Sequence, residues 1–353
     1  MKKHRLPVWA LAVIDLAAGA VCVGLVLLVL YVLPQGTVVS DSETQETAAQ
    51  FALPSQGSGE ATESTGAGLG FPAASQNNWS HADTISLTAD QTEIQAFAQA
   101  KKTRKTLFDD KTSTSNIKIE QVTCTAANQP IVYFAADVYV TSTQKVKTAF
   151  AKSMYGKNIR DFVSTMAKQN QASLAISGDS YGESDSVCVI RNGEVYSKDP
   201  GTSDVCVLFS DGVIKTYPAS QFDVDSVIAQ GAWQAWTFGP SLLDGNGNVL
   251  ASFHSTEYLN KINPRAAIGY IAPGHYKFVV VDGRQEGYSV GVTMSQLAQL
   301  MKEEGCQTAY NLDGGKSAVM YYNGKAVSKP IGGVSRTISD IIYIPADEGG
   351  TDK

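Results

Sequence analysis

The sequence repeats one order of patterns: a helix-like amphipathic segment, a polar turn, a short apolar run typical of a buried strand, and then an aspartate beside glycine. The first copy covers residues 158–182 and contains Asp179, and the second covers residues 292–317 and contains Asp313. A third aspartate, Asp282, follows an apolar run that has no helix-like segment before it. Ligands often bind at strand ends of this kind, because glycine lets another group approach the backbone. Each aspartate alone is consistent with an ordinary turn, but three such strand ends favour one shared site.

The end of the second copy looks like part of a phosphate-binding P-loop, since it reads Gly315-Lys316-Ser317. A P-loop also needs a glycine five residues earlier and a helix after the serine. Tyr310 occupies the first of these positions, and residues 318–324 read as a strand followed by an Asn-Gly hairpin turn. The segment is therefore interpreted as a bend between two strands rather than as a nucleotide site.

Much of the remaining chain consists of runs of β-branched and aromatic residues, separated by Asn-Gly and Asp-Gly turn signals. Helix-like periodicity is confined to a few segments, of which the first is predicted from Thr92 to about Leu107. The sequence therefore predicts an α+β fold, with a mixed β-sheet core and a few covering helices. This domain is predicted to cover residues 90–348 and to be followed by a flexible tail at residues 349–353.

An apolar stretch, Leu6–Leu33, lies near the N-terminus and is broken only by Asp15. Its uncharged part, Leu16–Leu33, reaches the length of about 18 residues that can span a bilayer. The alternative, a cleaved signal peptide, usually has a shorter apolar core and a small-x-small cleavage site. Basic residues precede the stretch and the next one is Lys101, so the positive-inside bias predicts a cytoplasmic N-terminus and an extracytoplasmic remainder. Residues 1–34 are thus predicted to form the cytoplasmic tail and transmembrane anchor of a single-pass membrane protein.

Residues 35–89 are rich in Ser, Thr, Gln, Gly and Ala. They are predicted to form a disordered linker, because such a segment buries too little apolar surface to fold. The whole chain has 28 basic and 34 acidic residues and a formal net charge of −6. This balance argues against general binding to nucleic acid, so no nucleic-acid partner is predicted. Binding of a polyanion would require a local group of basic side chains.

Four cysteines follow the apolar stretch, at positions 124, 188, 206 and 306, where disulfides form if the domain is exported. Cys188 and Cys206 flank a hairpin-like segment and could face each other, but four cysteines allow three pairings and the sequence does not choose among them. No Cys-x-x-Cys or clustered histidine accompanies them, so no metal site and no cofactor are predicted. A divalent cation that bridges aspartates and a phosphate is the less favoured alternative.

Three arginines stand beside predicted strands: Arg265, Arg284 and Arg336. The planar guanidinium group suits two-point recognition of a carboxylate or a phosphate. A surface ion pair would explain any one of them. Three together, in a chain that is acidic as a whole, fit a local pocket for a phosphate.

These motifs occur together and in order in one known family. They are Ala-Ile-Ser-Gly-Asp at residues 175–179, Phe-Gly-Pro at 238–240, Pro-Arg-Ala-Ala-Ile-Gly at 264–269, Val-Asp-Gly-Arg at 281–284, Asn-Leu-Asp-Gly-Gly-x-Ser at 311–317, and Arg336. Over about residues 115–345 the chain resembles the phosphodiester glycosidase family, which includes the lysosomal enzyme that removes N-acetylglucosamine from a phosphodiester and many bacterial envelope proteins. Two positions depart from the family pattern, since Ser177 stands where asparagine is usual and Lys316 where glycine is usual.

The resemblance implies a membrane-anchored extracytoplasmic hydrolase, a glycosidase that cleaves a sugar from a sugar-1-phosphodiester in envelope or extracellular polysaccharide. Its catalytic residues would be Asp313 and Asp179, either of which would act as nucleophile or base, and Asp282, which would orient its neighbours. Its substrate-binding residues would be Ser177, Arg265, Arg284, Asn311, Gly314, Gly315, Ser317 and Arg336. Its partners would be a glycan or sugar-phosphate polymer and, through the N-terminal helix, the membrane. The alternative is a non-catalytic protein that uses the same pocket to bind polysaccharide or to assemble exopolysaccharide.

Overall fold

The structure is a computed structural model that describes residue 23 and residues 35–39, 49–54, 85–183 and 187–347. Among these residues, no helix is both long enough and apolar enough to cross a bilayer. The predicted transmembrane anchor, most of the predicted linker and the predicted tail lie outside the described residues.

The described part of the chain is built mostly from strands, with a few short helices. The strands are β1 (Gln35–Val38), β2 (Ile85–Thr88), β3 (Thr103–Lys111), β4 (Ser115–Ala126), β5 (Gln129–Val140), β6 (Lys147–Phe150), β7 (Met154–Lys157), β8 (Ala172–Ser177), β9 (Cys188–Arg191), β10 (Glu194–Lys198), β11 (Val205–Phe209), β12 (Ile214–Tyr217), β13 (Ala232–Trp236), β14 (Ser252–Ser255), β15 (Arg265–Ala272), β16 (His275–Val281), β17 (Thr308–Leu312), β18 (Met320–Tyr322), β19 (Lys325–Ala326) and β20 (Asp340–Pro345). The α-helices are α1 (Gln91–Gln99), α2 (Val163–Gln169), α3 (Val224–Ala229), α4 (Glu257–Asn260) and α5 (Met294–Glu303).

Three sheets form the framework. A six-stranded sheet has the order β17-β15-β16-β5-β4-β3, and two five-stranded sheets have the orders β19-β18-β8-β20-β6 and β10-β9-β13-β11-β12. Every strand pair within the described residues is antiparallel. The prediction of an α+β fold with few helices is therefore confirmed, but the prediction of a mixed sheet is wrong. Many successive strands are joined by tight turns, and such turns can connect only antiparallel neighbours.

The six-stranded sheet lies at the centre of the domain and is buried on both faces. On one face, Phe134 and Phe278 pack in a core that includes Ile176 of β8 and Trp236 of β13. On the other face, Phe97 of α1 and residues of α5 cover the strands. Because both faces are covered, β5 and β16 read as nearly continuous apolar runs rather than as an alternation.

The helices cover the outer faces of the sheets. Helix α5 begins at a capping box, in which the Thr293 side chain accepts from the Gln296 backbone and the Gln296 side chain accepts from the Thr293 backbone. Helix α2 packs on β8 and β20, and α3 packs on the sheet of β9, β11 and β13. The helix of the first sequence repeat therefore lies on the strand that follows it, and the helix of the second, α5, covers the six-stranded sheet to which its following strand β17 belongs.

Helix α1 is shorter than predicted. It begins at Asp90, whose carboxylate accepts from the backbone of Thr92, and it ends at Gln99 instead of continuing to about Leu107. Residues 103–111 form the edge strand β3, which pairs with β4 along its length. The prediction of a helix over this stretch is wrong because pairing with β4 overrides the weak local helix preference.

Three stretches of the predicted linker contact the folded domain, which differs from the predicted disorder of residues 35–89. Strand β1 pairs with β7, and β2 pairs with β14. Phe51 lies against Gly212 and Gly274, and its backbone N–H donates to the carbonyl of Thr141 at 2.6 Å. Backbone pairing with exposed strand edges holds these stretches, although their composition contains little apolar surface.

The four cysteines beyond the apolar stretch are buried and unbridged. Strand β13 lies between β9 and β11, so Cys188 and Cys206 do not face each other across paired strands. The hairpin after Cys188 is formed by β9 and β10 alone.

Candidate active site

The two repeated strand ends meet. The backbone N–H of Asp313, after β17, donates to the carbonyl of Gly178, after β8, at 3.0 Å. The Ser177 hydroxyl donates back to the carbonyl of Asp313 at 3.1 Å. Strand ends that are far apart in the sequence therefore form one junction between the six-stranded sheet and the β8 sheet.

The third acid, Asp282, follows the end of β16 and lies at the same edge of the six-stranded sheet as Asp313. Strand β15 lies between β16 and β17, with Arg265 opposite Val281 and Ala266 opposite Leu312. Because β15 runs antiparallel to both neighbours, its first residues lie beside the last residues of β16 and β17. The backbones of Asp282 and Asp313 are therefore separated by two strand spacings, or about 10 Å.

Asp313 is paired with an arginine that reaches solvent. The Arg336 Nη2 lies 3.4 and 3.3 Å from the two carboxylate oxygens of Asp313, and the Arg336 side chain is 44% exposed. Its Nε and Nη2 also donate to the hydroxyl of buried Ser317, at 3.1 and 3.0 Å. The backbone N–H of Arg336 donates to the carbonyl of Lys316, which fixes this segment beside the turn. The result is a buried carboxylate under a partly exposed guanidinium.

Asp179 lies deeper than Asp313 and belongs to a buried ionic cluster. Its carboxylate accepts from the backbone of Ser180 and of Thr237, each at 2.8 Å, and lies 3.4 Å from Arg191 Nη2. Arg191 Nε also donates to Asp340 at 2.8 Å, and Asp340 accepts from the Asp179 backbone N–H at 2.6 Å. Burial raises the pKa of Asp340 to about 6, reinforced by the neighbouring Asp179 charge and opposed by Arg191.

Sequence reasoning missed Arg191 and Asp340. Both stand at the end of otherwise apolar strands, β9 and β20, and both are almost completely buried. A charged residue directly next to an apolar run was the available signal, since buried charges occur almost only when they are paired.

The carboxylate of Asp282 holds two loops together. It accepts from the Tyr288 hydroxyl at 2.8 Å and from the Lys329 backbone N–H, at 3.0 Å to each oxygen. Burial raises the pKa of this carboxyl to about 6 despite these hydrogen bonds. Asp282 thus lies at the edge of the site, with its carboxylate directed to the segments that carry Tyr288 and Lys329.

The three predicted arginines have different surroundings. Arg265 is buried and donates to the backbone carbonyls of Val292, Leu259 and Lys261, so its guanidinium holds the end of α4 against the sheet. Burial and the neighbouring Arg284 charge lower the pKa of Arg265 to about 9, which leaves it charged at neutral pH.

Arg284 is exposed and lies over the glycine turn. Its Nε donates to the Asn263 side-chain oxygen at 3.1 Å, and its Nη2 donates to the Tyr258 hydroxyl at 3.1 Å. A β-carbon at Gly315 would lie 3.8 Å from its guanidinium nitrogens. Arg284 has a φ of 55°, a left-handed conformation that is uncommon for a residue with a side chain.

The remaining predicted site residues shape the turn. A β-carbon at Gly314 would lie 2.7 Å from the carbonyl oxygen of Pro264, and Gly315 has a φ of 62°, so both positions favour glycine. Asn311 is fully buried and its amide donates to the Gly239 carbonyl at 2.7 Å. Its Oδ1 has no hydrogen-bond partner within the described part of the chain.

No group of three or more histidine, cysteine, aspartate or glutamate side chains that could hold a metal lies within the described residues. The acids described above are instead paired with arginines and backbone N–H groups. The preference for a metal-independent site stays a prediction.

The fold and the site define a β-rich α+β domain. In this domain, acids and arginines that follow different strands lie together at one edge of the six-stranded sheet. Residues 170–345 match the family model described as phosphodiester glycosidase, so the chain carries a domain of the phosphodiester glycosidase family. The resemblance seen in the sequence motifs is confirmed by this match.

Relatives agree with this assignment at the level of the fold. The catalytic domain of zebrafish N-acetylglucosamine-1-phosphodiester alpha-N-acetylglucosaminidase superposes with a TM-score of 0.56 and 17% identity, covering 76% of this chain and 97% of that domain. A Burkholderia pseudomallei K96243 protein described as exported gives a TM-score of 0.50 and 11% identity, covering 70% and 97%. The SPbeta prophage-derived uncharacterized protein YomE of Bacillus subtilis strain 168 is 28% identical over 270 residues. That match covers 70% of this chain, which spans 41% of the length of YomE.

Proposed function

We propose that this protein is a hydrolase that cleaves a sugar from a sugar-1-phosphodiester in envelope or extracellular polysaccharide. We further propose that residues 1–34 anchor it in the membrane, with the domain outside. The observation that carries the proposal is the Asp313 carboxylate beneath Arg336, at a glycine turn in a phosphodiester glycosidase domain.

The proposed reaction depends mainly on a carboxylate beside the anomeric carbon and less on a general acid that protonates the leaving group. Cleavage at the anomeric carbon passes through an oxocarbenium-like state, which a nearby carboxylate stabilises. The phosphodiester that departs is a weak base, and arginine can stabilise its negative charge as the bond breaks. A partly exposed arginine beside a carboxylate supports this division of roles.

We assign the reacting carboxylate, as nucleophile or base, to Asp313 rather than to Asp179. Asp313 lies under the partly exposed Arg336, whereas both oxygens of Asp179 accept hydrogen bonds inside the domain. Asp179 would then position the turn that contacts Asp313. Asp282 and Arg265 would likewise position the loops and α4 at the edge of the site.

The departing phosphate would be bound by Arg336, beside Asp313. Arg284, next to Gly315, would bind a phosphate further along the substrate. Ser317 would hold Arg336, and Gly314 and Gly315 would let the substrate approach the backbone. Asn311 would support the turn through Gly239, and Ser177 would support it through Asp313.

The test is release of free sugar from a panel of synthetic sugar-1-phosphodiesters by the purified full-length protein. Asp313→Asn is expected to lower kcat by at least about 100-fold, because aspartate supplies the reacting charge. Asp225→Asn, an exposed carboxylate on α3, is the matched control and is expected to retain full turnover. Undiminished turnover by Asp313→Asn would refute the assignment, and binding without turnover across the panel would favour the non-catalytic alternative.

A further inference from the structure

An exposed aromatic side chain lies at the rim of this site. Tyr258 of α4 is 63% exposed, although aromatic rings of this size usually bury most of their surface. Val334, two residues before Arg336, is also exposed, at 64%. Exposed aromatic and apolar side chains beside polar groups often mark a binding surface.

Tyr258 is connected to the reacting carboxylate by direct contacts. Its hydroxyl accepts from Arg284, Arg284 lies over Gly315, and the glycine turn continues to Asp313. A ligand that extends from Asp313 over this turn would therefore meet the guanidinium of Arg284 first and the ring of Tyr258 next.

The positive charge of Arg284 can bind an anion, because the side chains it contacts are neutral. The side chains to which it donates, Asn263 and Tyr258, carry no negative charge. Lys261 and Lys316 are also exposed along this rim, although the chain as a whole has a net charge of −6. Glu257 and Glu286 are exposed on the same segments, but Arg284, Arg336, Lys261 and Lys316 outnumber them. The rim therefore carries a net positive charge, which favours a phosphate over a neutral group.

We propose that Tyr258 and Arg284 form a second subsite, which binds the sugar-phosphate unit next to the one that is cleaved. The sugar ring would pack its C–H face on the Tyr258 ring, and its phosphate would bind Arg284. The substrate class is then an oligomer or polymer with at least two phosphodiester groups. This inference rests on the proposed function for the reaction, but the subsite itself is testable by binding alone.

The kinetic test compares two synthetic substrates, one with a single sugar-1-phosphodiester and one with two linked units. The wild-type protein is expected to have a KM about 10-fold lower for the two-unit substrate, the effect of one added contact of moderate strength. Tyr258→Ala is expected to abolish this preference by raising the KM of the two-unit substrate alone, with kcat unchanged. Val195→Ala, an exposed apolar side chain on β10, is the control.

A second variant distinguishes two roles of Tyr258: packing of its ring against the sugar, and support of Arg284 by its hydroxyl. Tyr258→Phe keeps the ring but removes the hydroxyl that Arg284 contacts. Stacking predicts that the preference survives in this variant. Loss of the preference in Tyr258→Phe to the same extent as in Tyr258→Ala would show that the tyrosine only supports Arg284 and would overturn the stacking role.

Binding distinguishes failure of this inference from failure of the proposed function. Calorimetric titration of Asp313→Asn with the same two compounds is expected to show tighter binding of the two-unit compound, lost on adding Tyr258→Ala. If no compound is cleaved but this difference is measured, the proposed function fails and the subsite stands. Equal binding of both compounds, or an equal effect of Tyr258→Ala on both, would overturn the subsite whatever the turnover.

Discussion

At the scale of single residues, the carboxylate of Asp282 makes stability depend on pH. Asp282 is almost fully buried, and burial raises its pKa to about 6. The folded protein therefore binds this proton more tightly than the unfolded chain does. The stabilising contribution is complete below the ordinary carboxyl pKa of about 4 and is lost as pH rises through the folded-state value.

Asp282→Asn is expected to remove this pH dependence, because asparagine does not titrate. Between about pH 4 and about pH 7, wild-type stability should fall relative to the variant by about 2 kcal/mol, most of the ~3 kcal/mol that a shift of about two pKa units represents. Urea unfolding at several pH values measures the difference. Asp340 also has a raised pKa but is common to both proteins, so its contribution cancels. Parallel stability curves for the two proteins would contradict the expectation.

At the scale of elements, the turn after β8 depends on close contact with the start of β20. Gly178 donates its backbone N–H to the Asp340 carbonyl at 3.2 Å, and a β-carbon at Gly178 would overlap the Asp340 carboxylate. Asp340 cannot move freely, because it pairs with Arg191 in the interior. The contact thereby fixes the position of the Gly178 carbonyl that receives the Asp313 N–H.

Gly178→Ala is expected to destabilise the protein by about 3 kcal/mol and to lower turnover, since the buried ion pair must shift. Gly287→Ala is the control, because nothing lies within 4 Å of its β-carbon. That control should lose only about 1 kcal/mol through its left-handed backbone. Thermal unfolding and the sugar-release assay measure both quantities, and equal losses in the two variants would refute the role given to this contact.

The elements also show what sequence patterns could predict. The two helix–strand repeats were predictable because the apolar periodicity and the aspartate–glycine ends are local signals. The pairing of β2 with β14 was not, because both partners are short and the contact joins residues more than 150 positions apart. The same holds for Arg191, since its importance comes from Asp179 and Asp340 on other strands. The sequence placed Arg265 and Arg284 in the same role. Only the three-dimensional structure shows that Arg265 is buried and bonded to backbone carbonyls, whereas Arg284 is exposed.

At the scale of the whole molecule, the net charge of the chain is negative, whereas the exposed side chains around the glycine turn are mainly positive. The chain has a net charge of −6, while Arg284, Lys316 and Arg336 are exposed around the glycine turn. Salt screens distant charges first, since the Debye length is about 10 Å at 0.1 M ionic strength. An anionic substrate would therefore feel little repulsion from the rest of the chain, and its attraction to the rim would decide how binding responds to salt.

The KM for a sugar-1-phosphodiester is accordingly expected to rise with salt, by about 3-fold to 10-fold between about 0.05 and about 0.5 M sodium chloride. The value of kcat should change little, because the charges beside the reacting carbon lie too close together to be screened. Lys316→Gln should flatten the salt dependence, whereas Lys111→Gln should not. Lys111 ends β3, the edge strand at the opposite side of the six-stranded sheet from β17. A KM that falls with salt would mean that the acidic bulk of the molecule, rather than its basic rim, governs the approach of substrate.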